Sequence, residues 1–176
     1  MKIDRIKAAW ERCQGFILEP EEAFTETYFL EIPIAKVVST LEVIRSSSQS
    51  FSGSWDELEN GNEISIDDIE TIHKVESGNL VVHGAFEFVT QEPGFDFQIL
   101  ILIDANKFGS YDVDIVWHSK DVFTQNIDNF LRFQQLLKYF ISQQVLFTNE
   151  HLFIGPENPF HPLDRASKWA SLWVEI

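Results

Sequence analysis

The sequence has a single cysteine, Cys13, so no intrachain disulfide can form, which fits a reducing compartment. No apolar run approaches the roughly 18 residues a membrane-spanning helix needs. The longest, residues 99–103, has the length of a strand. Residues 1–7 mix charges with apolar side chains and lack the continuous apolar core of a secretory signal. The expectation is a soluble, cytoplasmic protein. Phosphate-cradling motifs are missing as well: Gly53 and Gly61 stand isolated with no lysine beside them. There is no dinucleotide fingerprint, no His-Glu-x-x-His helix and no Gly-x-Ser-x-Gly elbow.

Basic residues are the other shortage. Thirteen Lys and Arg face 28 Asp and Glu, for a net charge of −15. The imbalance is concentrated: residues 46–106 hold twelve acids and one base, Lys74, whereas each flanking segment holds eight acids and six bases. Nucleic-acid binding needs a basic footprint and is disfavoured. A basic protein partner is favoured on electrostatic grounds. Between Arg45 and Lys74 the acids run Asp56, Glu57, Glu59, Glu63, Asp67, Asp68 and Glu70 without an intervening base. Mutual repulsion predicts an exposed, mobile stretch there, and these seven are the candidate partner-binding residues.

What is present is enough for a core. The 176 residues are 44% hydrophobic and include sixteen Phe, which predicts one α+β domain over residues 1–176. Its centre is read as a four-stranded antiparallel meander over 69–75, 80–89, 97–103 and 111–117, from β-branched and aromatic runs broken by Gly, Pro and Asn. In the second strand Leu80, Val82, Phe86 and Phe88 share a face; in the fourth Tyr111, Val113, Ile115 and Trp117 do. The third is apolar on both faces and is expected to be covered on both. Gly84 is read as a bend or bulge.

Around the meander, Ile3, Ile6, Trp10 and Cys13 mark a helix expected to stop at Gly15, and Ile34, Val37, Val38, Leu41 and Ile44 mark another, with Lys36, Thr40 and Arg45 opposite. Residues 20–32 fit either helix or strand. Residues 46–54 read as a serine-rich loop. A long amphipathic helix over 126–142, capped by Asn126, carries Phe130, Leu131, Phe133, Leu136, Leu137 and Phe140 and is expected to pack across the sheet. A proline-rich connector over 155–162 leads to a last helix capped by Asp164, with Trp169 and Trp173 on one face.

The best chemistry-like set is Asp112, Asp114 and His118 on one strand face, with His83 and Glu87 on the second strand. Two strand spacings, about 10 Å, separate the groups, too far for a shared metal on a flat sheet. An exposed polar sheet face accounts for them. Cys13 reads as a small core residue. His151 and His161 match no zinc spacing. No catalytic residue, metal or cofactor is assigned. The reading is therefore a non-enzymatic acidic protein-binding module of the inhibitor, immunity or chaperone kind, engaging a basic partner. The alternative is a small-molecule site or an enzyme with a pocket between sheet and helices.

Overall fold

The computed structural model describes residues 3–18, 24–65, 68–77, 79–91, 98–105, 110–123, 128–147, 152–156 and 174–175. In chain order the elements are α1 (Ile3–Ile17), β1 (Phe24–Ile32), α2 (Ile34–Ser47), β2 (Ser48–Glu57), β3 (Glu63–Ser65), α3 (Ile69–Glu76), β4 (Val82–Thr90), β5 (Gln98–Ala105), β6 (Tyr111–His118), α4 (Ser119–Val122), α5 (Asn129–Phe147), β7 (Leu152–Pro156) and β8 (Val174–Glu175). The fold is α+β, and its sheet has eight strands rather than four, in the order β3-β2-β4-β5-β6-β1-β7-β8 with antiparallel neighbours throughout.

Strands β4, β5 and β6 form the meander the sequence predicts. The expected first strand, 69–75, is instead helix α3. Ile69, Ile72 and Val75 recur every third residue, a helical spacing, and Lys74 Nζ lies 3.0 Å from Glu70 Oε1 one turn away. The place beside β4 is taken by β2, which includes most of the expected serine loop. Ser50, Ser52 and Ser54 alternate with Phe51, Gly53 and Trp55, a strand period that composition conceals. The serines before them extend α2. Ser46, Ser47 and Ser48 hydroxyls donate to the carbonyls of Glu42, Val43 and Ile44 at 2.7, 2.9 and 2.6 Å. Residues 24–32 are strand, which decides that ambiguity.

One face of the sheet is covered by helices. Val82, Phe86 and Phe88 of β4, Ile99, Ile101 and Ile103 of β5, and Val113, Ile115 and Trp117 of β6 are all buried toward α2 and α5. From α5, Phe133, Leu136, Leu137 and Phe140 are fully buried, as is Phe147. This helix begins later than expected: Asp128 Oδ1 accepts the amides of Phe130 and Leu131, both at 3.1 Å, while Asn126 lies outside the described residues. Leu131, expected on the apolar stripe, is exposed. In α2 Thr40, expected on the polar side, is buried. Helix α1 continues through Gly15 to Ile17, and it places Trp10 5.2 Å from Phe133 and 6.0 Å from Phe123.

Two glycines make room for aromatic packing. Gly84 causes no break in register; it pairs with Trp55, and a Cβ there would stand 2.8 Å from the Trp55 ring. Gly53, at φ 141°, brings its backbone against Phe86, where a Cβ would lie 2.7 Å from the Phe86 Cα. Strand β5 is covered on one face only, because Leu100 is exposed and Leu102 half-buried. Gly155 and Pro156, expected in a connector, belong to β7; the rest of that connector and the Trp169–Trp173 helix lie outside the described residues.

The central role of α5 is open to measurement. Phe133→Ala or Leu137→Ala should cost about 2–5 kcal/mol through lost burial and the cavity left behind. Urea unfolding reads this as a lower midpoint at unchanged slope; midpoints equal to the parent's would place the stripe at the surface.

Candidate functional site: the uncovered sheet face

Strand alternation sends every second side chain away from the helices. On β4 these are His83, Ala85, Glu87 and Val89; on β5, Gln98, Leu100, Leu102 and Asp104; on β6, Asp112, Asp114, Val116 and His118. The registers align them in cross-strand rows. Glu63 pairs with Asp56, Asp56 with His83, His83 follows in line with Asp104, and Asp104 pairs with Asp112. Five consecutive strands thus contribute one ionisable group each to a single row, four carboxylates and one imidazole. The His83 Nδ1 lies 2.6 Å from Asp104 Oδ1, with both side chains well exposed. Among the described residues of this face, from β3 across to β8, no lysine or arginine occurs.

The structure separates the chemistry-like set by task. Asp112 Oδ1 accepts the Glu31 amide at 2.8 Å, where β1 bulges and Glu31 takes φ 57°. The carboxylate holds that turn of backbone. At the other end of β6, His118 Nδ1 accepts the Lys120 amide at 3.3 Å to cap α4, and its ring meets Phe24 edge-on at 4.9 Å. Asp114 is buried beside Glu26, and the Tyr28 hydroxyl hydrogen-bonds to it. His83 and Asp112 do share a row, two strands apart as anticipated. The residue that links them, Asp104, lies one position beyond the strand that the sequence predicts over 97–103. Extending its alternation by one residue would have placed Asp104 opposite both.

The seven acids between Arg45 and Lys74 do not form one mobile stretch. Asp56 and Glu63 are paired neighbours on the uncovered face. Glu57 is half-buried and accepts from Asn62 Nδ2 at 2.9 Å, closing the turn that carries Glu59. Glu70 lies in α3 paired with Lys74, Asp68 precedes that helix exposed, and Asp67 is outside the described residues. Trp55, immediately before the first of the acids, is buried in the core.

Elsewhere, a cavity of about 260 Å³ opens between α2, α5 and the paired ends of β2 and β4, lined by Ser47, Ser48, Phe88, Thr90, Tyr139 and Gln143 among others. It has no carboxylate, imidazole or ammonium in its wall. Among the described residues no group of three or more His, Cys, Asp or Glu converges as a metal site, and no helix is long and apolar enough to cross a membrane. Cys13 is fully buried, and burial pushes its thiol up to about 12, which keeps it from acting as a nucleophile near neutrality.

No protein-family model matches the sequence, and neither does any curated protein. A solved structure does. One chain of the 1.75 Å crystal structure of the toxic C-terminal tip of CdiA from Pseudomonas aeruginosa in complex with immune protein is similar over 81% of this chain and 99% of that one. The identity is 17% and the TM-score 0.52, so the likeness is one of fold.

Burial, then the neighbouring Asp114 and Glu26 carboxylates, raises the Tyr28 pKa; burial also raises that of Tyr111, offset in part by a backbone hydrogen bond at Val82. A fold that disfavours the phenolate has this stability in full below the ordinary tyrosine value of about 10 and loses it as pH rises beyond. Tyr28→Phe should cost about 1–3 kcal/mol at neutral pH, since Asp114 loses a donor. It should also flatten the alkaline decline. Urea midpoints measured from about pH 8 to about pH 11 test this, and a variant declining as steeply as the parent would refute it.

Proposed function

We propose that the chain is a non-enzymatic, acidic protein-binding module of the immunity kind, acting in the cytoplasm on a basic partner protein. What carries the reading is the uncovered sheet face, where Glu63, Asp56, Asp104 and Asp112 stand in one row with no lysine or arginine among the described residues of that face. Such a surface attracts positive charge at long range and repels its own kind. The fold likeness to a chain from a toxic tip and immune protein complex supplies a precedent for this architecture in protein recognition. Asp56, Glu57, Glu59, Glu63, Asp68 and Glu70 supply the steering charge in this reading, from a strand pair, a turn and a helix, together with Asp67 of the sequence.

The test uses a partner captured by pull-down with the intact chain. The two should associate faster as salt is lowered. Replacing Asp56, Glu57, Glu59 and Glu63 by Asn or Gln should slow association and weaken its salt dependence while leaving the thermal midpoint unchanged or higher. Parental association at low salt would reduce the segment to a solvated surface, and unfolding of the variant would make these carboxylates structural.

A second reading attaches to the cavity. Its hydroxyl and amide wall suits a small uncharged polar molecule. A screen of uncharged polar compounds by thermal shift should then give hits that Gln143→Leu abolishes; hits surviving that change would place the ligand elsewhere.

A further inference from the structure

β2 runs from Ser48 to Glu57, but β3 pairs with it only from Ser54 to Asp56. Among the described residues no strand lies along the outer side of Ser48–Gly53. The hydrogen-bond alternation fixes which groups face that side. Glu57 donates its amide to Asn62 and its carbonyl accepts from Gly61, both on the β3 side, whereas Leu58 donates across to Val81 before β4. Counting back in twos from Glu57, Phe51 and Gly53 turn N–H and C=O to the outer edge, and Ser50 and Ser52 turn theirs to β4. Edge strands of soluble proteins are ordinarily guarded by lysine, proline or an inward charge. Residues 46–55 contain none of these, and the one irregularity, a register shift against β4 between Ser48 and Ser50, lies before Phe51 and Gly53.

We propose that this edge accepts an extended segment of the basic partner as an added strand, in line with β3. The proposal rests on the reading that the partner is basic, and it adds the mode of binding. Charge decides the occupant. On the uncovered face, the short side chains of Ser50 and Ser52 would lie between the new strand and Glu87, which pairs with Ser52; Asp56 and Glu63 stand at the end of its track. Lysine or arginine at alternate positions reaches these carboxylates. On the helix side, Phe51 is half-buried, its ring stacked 5.6 Å from that of Phe86, and an apolar residue at the intervening positions covers it. A second copy of this chain is the poorer occupant, because the two chains would repel with a net charge of −15 each. Main-chain pairing supplies the affinity of such additions and alternate side chains the selectivity.

The probe is a short peptide of alternating lysine and valine, with amide hydrogen exchange read residue by residue on the intact chain. In the free protein Phe51 and Gly53 should exchange fast and Ser50 and Ser52 slowly. Saturating peptide should slow Phe51 and Gly53 about tenfold and leave Ser50 and Ser52 as they were. The same peptide N-methylated at alternate residues keeps its charge, cannot pair, and should give no protection. Protection by the methylated peptide, or none by the parent peptide, overturns strand addition even if the charge-neutralised variant above still associates slowly, which leaves the acidic-surface reading in place. Equal protection by a glutamate–valine peptide overturns the choice of a basic occupant. Protection growing with protein concentration alone assigns the edge to a second copy and overturns the proposal.

Discussion

The structure depends on β1 being inserted between β6 and β7. Residues from near the start of the chain pair with residues 111–118 on one side and 152–156 on the other, and this joins the β2-to-β6 half of the sheet to its C-terminal strands. Two buried side-chain hydrogen bonds secure the join across 90 or more residues of sequence: Thr25 Oγ1 with Ser119 Oγ at 2.8 Å, and Trp117 Nε1 donating to Thr27 Oγ1 at 3.1 Å. Such hydroxyls on a core strand are tolerated because each has its partner, and burying them unpaired would cost about 1–3 kcal/mol apiece. Non-local pairing of this kind closes late and slowly, since the loop entropy is lost before the contacts form.

Covering that sheet on one side divides the labour between its faces. The helix side carries the packing: Trp55 over Gly84, Phe86 within 5.0 Å of Trp55, and Phe29 within 5.0 Å of Phe147. The other side is left free of that demand over β3 to β6. Near β1 and β7 it closes again, where Leu30 and Phe153 are buried with Tyr28 packed on them and where Glu26 and Asp114 are drawn in. The row of acids thus lies on the half of the face built from β3, β2, β4, β5 and β6, while Glu175 of β8 is exposed at the opposite edge.

Much of this was legible because strand and helix periods survive in the sequence. The alternation in residues 82–88 and 111–118 read directly, as did the apolar stripe from Phe133 to Phe140. Three errors share one cause, letting composition stand in for period. Serine content concealed β2, β-branched content disguised α3 as a strand, and acidic content made a hairpin with the buried Trp55 look mobile. The eight-strand count could not be read at all. Pairing of β1 with β6 and β7 is a tertiary choice, and residues 24–32 carry no mark of their partners. Strand β5 was expected to be covered on both faces because Leu100 and Leu102 are apolar, yet apolar residues on a surface are common and predict nothing alone.

The candidate site shows the same distinction at the level of charge. Counting acids along the chain pointed to a run; folding disperses that run among a strand pair, a turn and a helix. In an antiparallel sheet the unit of interaction is the cross-strand row. Asp56, His83, Asp104 and Asp112 are far apart in sequence and adjacent in register, and no window of residues contains them. Carboxylates placed directly opposite, as Asp104 and Asp112 are, weaken a sheet. Here the imidazole of His83 and the amide of Glu31 each take up one of them and offset part of that repulsion. A lysine in place of Asp104 would remove the repulsion together with the His83 contact, and one in place of Asp112 would take the acceptor from the Glu31 amide where β1 bulges. The two carboxylates are thus held by the contacts each makes across the sheet, Asp104 to His83 and Asp112 to Glu31, against their mutual repulsion.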